Sequence, residues 1–162
     1  MNELLSKLSS YNLFNYFFPG VIFAFLADGV TNYSFIQPNI VIGFFLYYFI
    51  GLVVSRFGSL VIEPVLRKVS FIMHEDYEDF VGACKKDEKL EILLEVNNTY
   101  RTLCSLFFLL PLLKLYEFIE HIIPFLRGWR IVLIIVSLFL VFLFSFRKQT
   151  GYIIKRIKAN GC

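Results

Sequence analysis

The chain has 162 residues, of which 57% are hydrophobic, 19% aromatic and 18% charged, with a net charge of +3 and a mean hydropathy of +0.67. Soluble domains average about 45–50% apolar and about 25% charged residues. The composition therefore excludes a secreted disulfide scaffold, a disordered tail and a conventional soluble enzyme, and points to a small integral membrane protein.

Mapping the charges leaves four gaps, Leu8–Ala27, Gly29–Ser55, Thr102–Leu113 and Ile131–Phe146, of 20, 27, 12 and 16 residues. A bilayer core of about 30 Å takes roughly 20 apolar residues, so the first two gaps suffice alone and the other two need their flanks. The first span is expected from Ser10 to Ala27, kinked at Pro19-Gly20 because proline removes a helix hydrogen bond. No small-x-small cleavage site precedes a polar region, so this run does not read as a signal peptide. Asp28–Pro38, rich in Asp, Gly, Thr, Asn and Ser, reads as a turn. The second span runs from Asn39 to Arg56, and its pattern continues to Glu63, where Pro64 suits the first turn of a new helix.

Residues Arg56 to Arg101 form a polar stretch of 46 residues, too small for a core of its own. It is expected to fold against the membrane helices or against further copies of the chain. His74-Glu75-Asp76 and Glu78-Asp79 lack the spacing of a metal motif and read as a solvated acidic loop. Asp87 reads as an N-cap, with Glu88 and Glu91 in the first turn favoured by the helix dipole. Neither glycine nor proline interrupts Asp87 to Leu110, so one helix is expected to run from this segment into the third span. Glu91, Glu95, Asn98, Thr102 and Ser105 recur at steps of 4, 3, 4 and 3 and share one face of it.

Thr102–Leu113 is too short to span. Continuing to Ile123 gives 22 residues, about 33 Å of helix, at the cost of carrying Lys114, Glu117 and Glu120. Alternatively Pro111 ends a short buried segment and Lys114–Leu126 lies in the interface. The fourth span is Trp129–Phe146, with Trp129 and Arg130 as interfacial anchors. The fold class is thus all-α integral membrane: an N-terminal hairpin over 1–56, a small helical cytoplasmic segment over 57–101, a second hairpin over 102–146 and a basic tail over 147–162. Thirteen of the sixteen Lys and Arg residues fall on the side of both termini and the middle segment, against three around the second turn. Both termini are therefore expected in the cytoplasm. That leaves Cys84 and Cys162 reduced and Cys104 in the membrane; an odd cysteine count without C-x-x-C spacing argues against zinc or a disulfide framework.

Three polar groups are candidates for function. The Glu91, Glu95, Asn98, Thr102, Ser105 stripe must face protein or water where it enters a bilayer. It reads either as the lining of a pore where copies meet or as packing within one chain. Lys114, Glu117, Glu120 and His121 form a second group, since ionisable residues at membrane depth suggest a gate or relay, although an outer-interface position explains them equally. Arg56, Glu63, Arg67 and Arg101, with Ser59, sit at the inner boundary, where pairing of the first three with Glu91, Glu95 or Arg101 would fix the middle segment to the bundle. Lys85, Lys86 and Lys89 are the candidate contacts for a protein partner or a small anionic ligand. Nine acids against seven bases in the same stretch indicate no nucleic-acid surface. No phosphate loop, nucleophile elbow or Ser-x-x-Lys occurs, so no enzyme, cofactor or metal is expected. The tail, Tyr152 to Lys158, is basic and amphipathic and suits anionic lipid.

The build of the chain, with Ser55-Arg56-Phe57-Gly58-Ser59-Leu60, Ile62-Glu63-Pro64 and Glu95-Val96-Asn97-Asn98-Thr99-Tyr100-Arg101, resembles the small multi-span bacterial membrane proteins that accompany phage-defence systems, among them retron, cyclic-nucleotide and CRISPR-linked membrane effectors. The resemblance implies a bacterial inner-membrane location, assembly into homo-oligomers and perturbation or depolarisation of the membrane when triggered. The expected function is an oligomeric pore or membrane-perturbing effector gated by a cytoplasmic partner or ligand. The alternative is a non-conducting scaffold or accessory subunit that docks a cytoplasmic protein.

Overall fold

A computed structural model of the chain describes residues 13–73, 77–84, 86–87 and 89–159. The described residues are helical, with no strand among them. In order they form a π-helical turn π1 (Leu13–Phe17), α1 (Phe18–Val30), α2 (Ile40–Phe57), a second π-helical turn π2 (Gly58–Ile62), α3 (Glu63–Lys68), α4 (Tyr77–Cys84), α5 (Lys89–Ile122) and α6 (Phe125–Ala159). Three continuous runs, Ile40–Lys68, Lys89–Ile122 and Phe125–Ala159, are long and apolar enough to cross a membrane at 29, 34 and 35 residues, while Asn15–Val30 is a shorter apolar helix.

Each π turn lies directly before a proline near the start of the next helix, Pro19 in α1 and Pro64 in α3. A proline ring clashes with the carbonyl four residues back and offers no N–H; those carbonyls belong to Asn15 and Leu60. The wider π turn moves the obstructed carbonyl aside, and Glu63 N–H donates instead to the Gly58 carbonyl. The helix that was expected to restart at Pro64 therefore runs through it. After Lys68 the chain stops in a tight cap, with Phe71 N–H on the Leu66 carbonyl at 2.9 Å and Ser70 N–H on Arg67 at 3.0 Å. This places Ser70 at φ 56°, a left-handed position that glycine occupies at lower cost.

The first turn begins later than the sequence suggests. α1 continues past Asp28 to Val30, because Thr31 closes the helix end with its amide and its hydroxyl on the Ala27 carbonyl, at 3.0 and 2.7 Å. Asp28 then accepts from Phe35 N–H at 3.2 Å and folds the loop back over the helix end. Asn39 caps α2, its side chain accepting from Val41 and Ile42 amides at 2.9 and 3.1 Å. Asp87 accepts from Lys89 N–H at 3.0 Å as α5 begins.

α1 and α2 cross with their backbones in contact. A Cβ at Gly20 would collide with the Tyr47 carbonyl oxygen and one at Gly51 with the Tyr16 carbonyl oxygen, so glycine is required on both sides of the crossing. α5 packs onto this pair at Gly58, where a Cβ would strike the Ser105 hydroxyl and lie 3.2 Å from the Arg101 carbonyl. Phe23, Ala27, Val54 and Leu106 make the small shared core. α5 continues unbroken through Pro111 to Ile122, so residues 114–122 extend the helix that carries Thr102. A separate segment starting at Lys114 does not form. α6 returns along the outside against α2, π2, α4 and α5 and buries none of its residues.

Candidate functional site

Polar side chains gather at two levels along α5. At one end, Glu63 is almost fully buried and accepts from Arg101 Nη1 at 2.8 Å. Lys148 of α6 joins it, donating to the Ser59 carbonyl and hydroxyl at 2.6 and 2.8 Å and reaching Glu63 at 3.4 Å. One carboxylate thus ties α3, α5 and α6 together. A turn deeper lies a buried cluster of Asn15, Ser55 and Thr102. The Thr102 hydroxyl is 3.0 Å from Asn15 Oδ1, 3.2 Å from Ser55 Oγ and 2.8 Å from the Asn98 carbonyl. A hydroxyl has one proton and two lone pairs, so it donates to one of the two oxygen acceptors and accepts from Ser55. Ser105 donates back to the Arg101 carbonyl of its own helix at 2.8 Å.

At the other end, Glu120 is buried and paired bidentately with Arg130, at 2.7 Å to Nε and 2.5 Å to Nη2. Tyr33 donates to the same carboxylate at 2.9 Å, and the Arg130 guanidinium lies over the Tyr33 ring at 4.7 Å. Burial, then the hydrogen bond to the Glu120 carboxylate, pushes the Tyr33 phenol up to about 12, so it stays a neutral donor. Glu117 pairs with Lys114 at 2.7 Å and accepts from the Asn32 amide at 2.9 Å and from its side chain. The loop after α1 and the start of α6 are therefore both clamped to the end of α5. Arg101 to Glu120 spans about 28 Å of α5, and Arg130 to Lys148 about 27 Å of α6, at 1.5 Å per residue.

The stripe of α5 divides. Glu91 and Glu95 are exposed and Asn98 is half-buried, whereas Thr102 and Ser105 are fully buried against Asn15, Ser55 and Gly58. The part of the stripe that lies among apolar residues, Thr102 and Ser105, packs within this chain's own bundle. The cause is the close approach that Gly58 allows. Of the inner-boundary residues, Glu63 and Arg101 come together, Arg56 turns to the Tyr16 hydroxyl at 3.2 Å, and Arg67 is exposed. Neither Glu91 nor Glu95 takes part. Of the outer residues, Lys114 and Glu117 meet, Glu120 goes to Arg130, and His121 is exposed. Lys86 and Lys89 are exposed, Asp79 likewise, and Cys84 is half-buried while Cys104 is exposed. His74, Glu75, Asp76, Lys85, Glu88 and Cys162 lie outside the described residues.

The partners that sequence reasoning missed are Asn15, Asn32, Tyr33, Ser55 and Lys148. Asn15 and Ser55 did carry a signal: Asn15 is a polar residue in an apolar run four residues before Pro19, and Ser55 lies between Gly51 and Gly58, both points of close approach. Neither family models, curated proteins nor solved structures show a match to this chain.

Proposed function

We propose that the chain is a four-span integral membrane protein that serves as a non-conducting accessory or scaffold subunit. The observation that carries this reading is the placement of its polar groups. Two ionic clusters lie roughly 27–28 Å apart along α5 and α6, close to the hydrocarbon thickness of about 30 Å. Between them the buried hydroxyls and the Asn15 amide turn inward, which leaves no continuous wet face on a span. The bare apolar surface of α6 supports the same setting, because an uncovered helix of that size in water would far exceed the apolar patches of soluble monomers. The short helix Asn15–Val30 completes the fourth crossing through its backbone contact with α2.

Function then falls to what projects from the bundle on the side of Lys86 and Lys89, where the exposed start of α5 offers a docking surface for a cytoplasmic protein. The setting proposed is the bacterial inner membrane with both termini cytoplasmic, consistent with the lysine and arginine bias. The resemblance to defence-associated membrane proteins extends the proposal to an accessory role in such a system. Alkaline extraction of membranes tests integration: a chain released into the supernatant refutes it. A membrane-potential dye tests the role. Expression should leave the potential unchanged, and Glu95→Leu with Asn98→Leu should also change nothing. Depolarisation that these two substitutions abolish would restore the pore reading and overturn this one.

A further inference from the structure

A groove of about 720 Å³ runs between π2 and the second half of α6. Its lower walls are apolar, with Leu60 and Val61 facing Leu140 and Phe144, and its upper part is basic, with Arg147, Lys148 and Lys155 beside Tyr152. No acidic side chain lines it. Lys148 is held by Ser59 and Glu63, and that carboxylate is shared with Arg101, so the cluster beneath the groove keeps an excess positive charge. Arg147 and Lys155 are exposed, and neither makes an ion pair among the described residues. They stand two helical turns apart, about 12 Å, with Gly151 between them. A Cβ at Gly151 would meet nothing within 4 Å, so the missing side chain leaves the groove open at the level of the charges. A side pocket of about 20 Å³ opens toward Ser145, whose hydroxyl is buried and unpartnered.

We propose that this groove is a binding site for one anionic glycerophospholipid, its acyl chains between π2 and α6 and its phosphodiester between Arg147 and Lys155. Charge and polarity change along the groove in the same order as they change along such a lipid. Apolar walls alone would accept any lipid. The two uncompensated cations select the anionic one, because a zwitterionic headgroup brings its own ammonium into the same positive field. Juxtamembrane Lys and Arg residues gain about 1 kcal/mol each from anionic lipid, which corresponds to roughly 30-fold for the pair. The site is distinct from general attraction of a basic tail because the lipid must enter between two elements, and a side chain at Gly151 would block it.

The inference rests on the membrane reading above, and its test is separate from that one. The full chain, purified in mild detergent, is titrated with phosphatidylglycerol or phosphatidylcholine and bound lipid is counted by native mass spectrometry. Wild type should retain one phosphatidylglycerol with a preference of roughly 10- to 30-fold. Arg147→Ala with Lys155→Ala should bring the two lipids within about 2-fold. Gly151→Phe keeps every charge and adds helix propensity, yet should lose the bound lipid. Equal retention of both lipids by wild type would overturn the proposal. So would a Gly151→Phe variant that keeps the preference, since charge would then act without the groove, and so would displacement of the lipid by excess inorganic phosphate, which would mark a free-anion site. A chain that resists alkaline extraction but shows no preference refutes this site and leaves the membrane reading standing.

Discussion

Gly51→Ala should loosen the crossing of α1 and α2, and the size of the effect follows from the contact. The new Cβ would lie 2.6 Å from the Tyr16 carbonyl carbon, against 3.4 Å or more for an ordinary contact. Its closest neighbour is the Tyr16 carbonyl oxygen, backbone that cannot swing away, so the helices must separate by about 1.5 Å, and such overpacking costs roughly 1–3 kcal/mol. The displacement also reaches two polar contacts across the same interface. Asn15 to Ser55 stands at 3.5 Å and Arg56 to the Tyr16 hydroxyl at 3.2 Å, so both leave hydrogen-bonding range. Interhelical bonds in membranes contribute about 0.6 kcal/mol each, giving a total of roughly 2–4 kcal/mol. For a chain of this size that is a fall of about 4–16 °C in melting temperature, read by intrinsic fluorescence in detergent. Gly20→Ala should behave alike, because its Cβ meets the Tyr47 carbonyl. Gly151→Ala, with open space around the same position, should be neutral or stabilising by up to about 1 kcal/mol. If all three variants melt within a degree of one another, the backbone contact is not what holds the hairpin.

Thr102→Val keeps the volume but removes the hydroxyl that Asn15 and Ser55 share, and should cost about 1–2 kcal/mol in the same melts; Ser105→Ala, which loses only a bond to its own helix, should cost less, and the reverse order would refute the network. For the buried Glu120, whose partner Arg130 is 36% exposed, a double-mutant cycle of Glu120→Gln and Arg130→Gln should give a coupling of about 1–3 kcal/mol, and additivity would show that the pair does not clamp α6. Tyr33 holds its proton in the folded state up to about 12 against an ordinary 10.0; the raised value stabilises the fold fully below pH 10 and is lost between pH 10 and 12. Tyr33→Phe should therefore be less sensitive than wild type across that window in a stability titration. Ser70→Gly, relieving the left-handed residue after α3, should stabilise by up to about 1 kcal/mol, and a loss of stability would show that the Ser70 side chain has a role of its own.

Helix existence was legible because long apolar runs between charges leave few alternatives, and the cap at Asp87 and the continuous helix after it follow from local chemistry alone. What escaped the sequence was orientation. The spacing of Thr102 and Ser105 with Glu91 and Glu95 puts all four on one face, but periodicity cannot say whether that face meets the chain's own helices or another copy. The answer lies in Gly58, which sits 44 residues before Thr102 and 47 before Ser105 and looks like any other glycine until the two elements meet at that point. The same holds for Lys148. Its place in the tail suggests a solvated charge, and only the return of α6 past π2 brings it to Ser59 and Glu63. Pro19 and Pro64 announced disturbance without its form: a kink is the usual outcome, and here a π turn absorbs each ring and keeps the run continuous.

The two π turns also explain why the polar groups sit where they do. A π turn widens the helix and rotates the residues after it relative to those before. Asn15 lies within π1 and Ser59 within π2, and each presents its side chain to α5 or α6 from a turn that regular helical geometry would have aimed elsewhere. Pro19 and Pro64 are thus upstream causes of the buried network, acting through backbone shape. If so, replacing Pro64 by alanine should let π2 relax to a regular helix, turn Ser59 away from Lys148 and leave that ammonium with Glu63 alone. The change would be visible as increased reactivity of Lys148 toward an amine label, at little cost to helix content. An unaltered labelling pattern would place the origin of π2 in its tertiary contacts rather than in the proline.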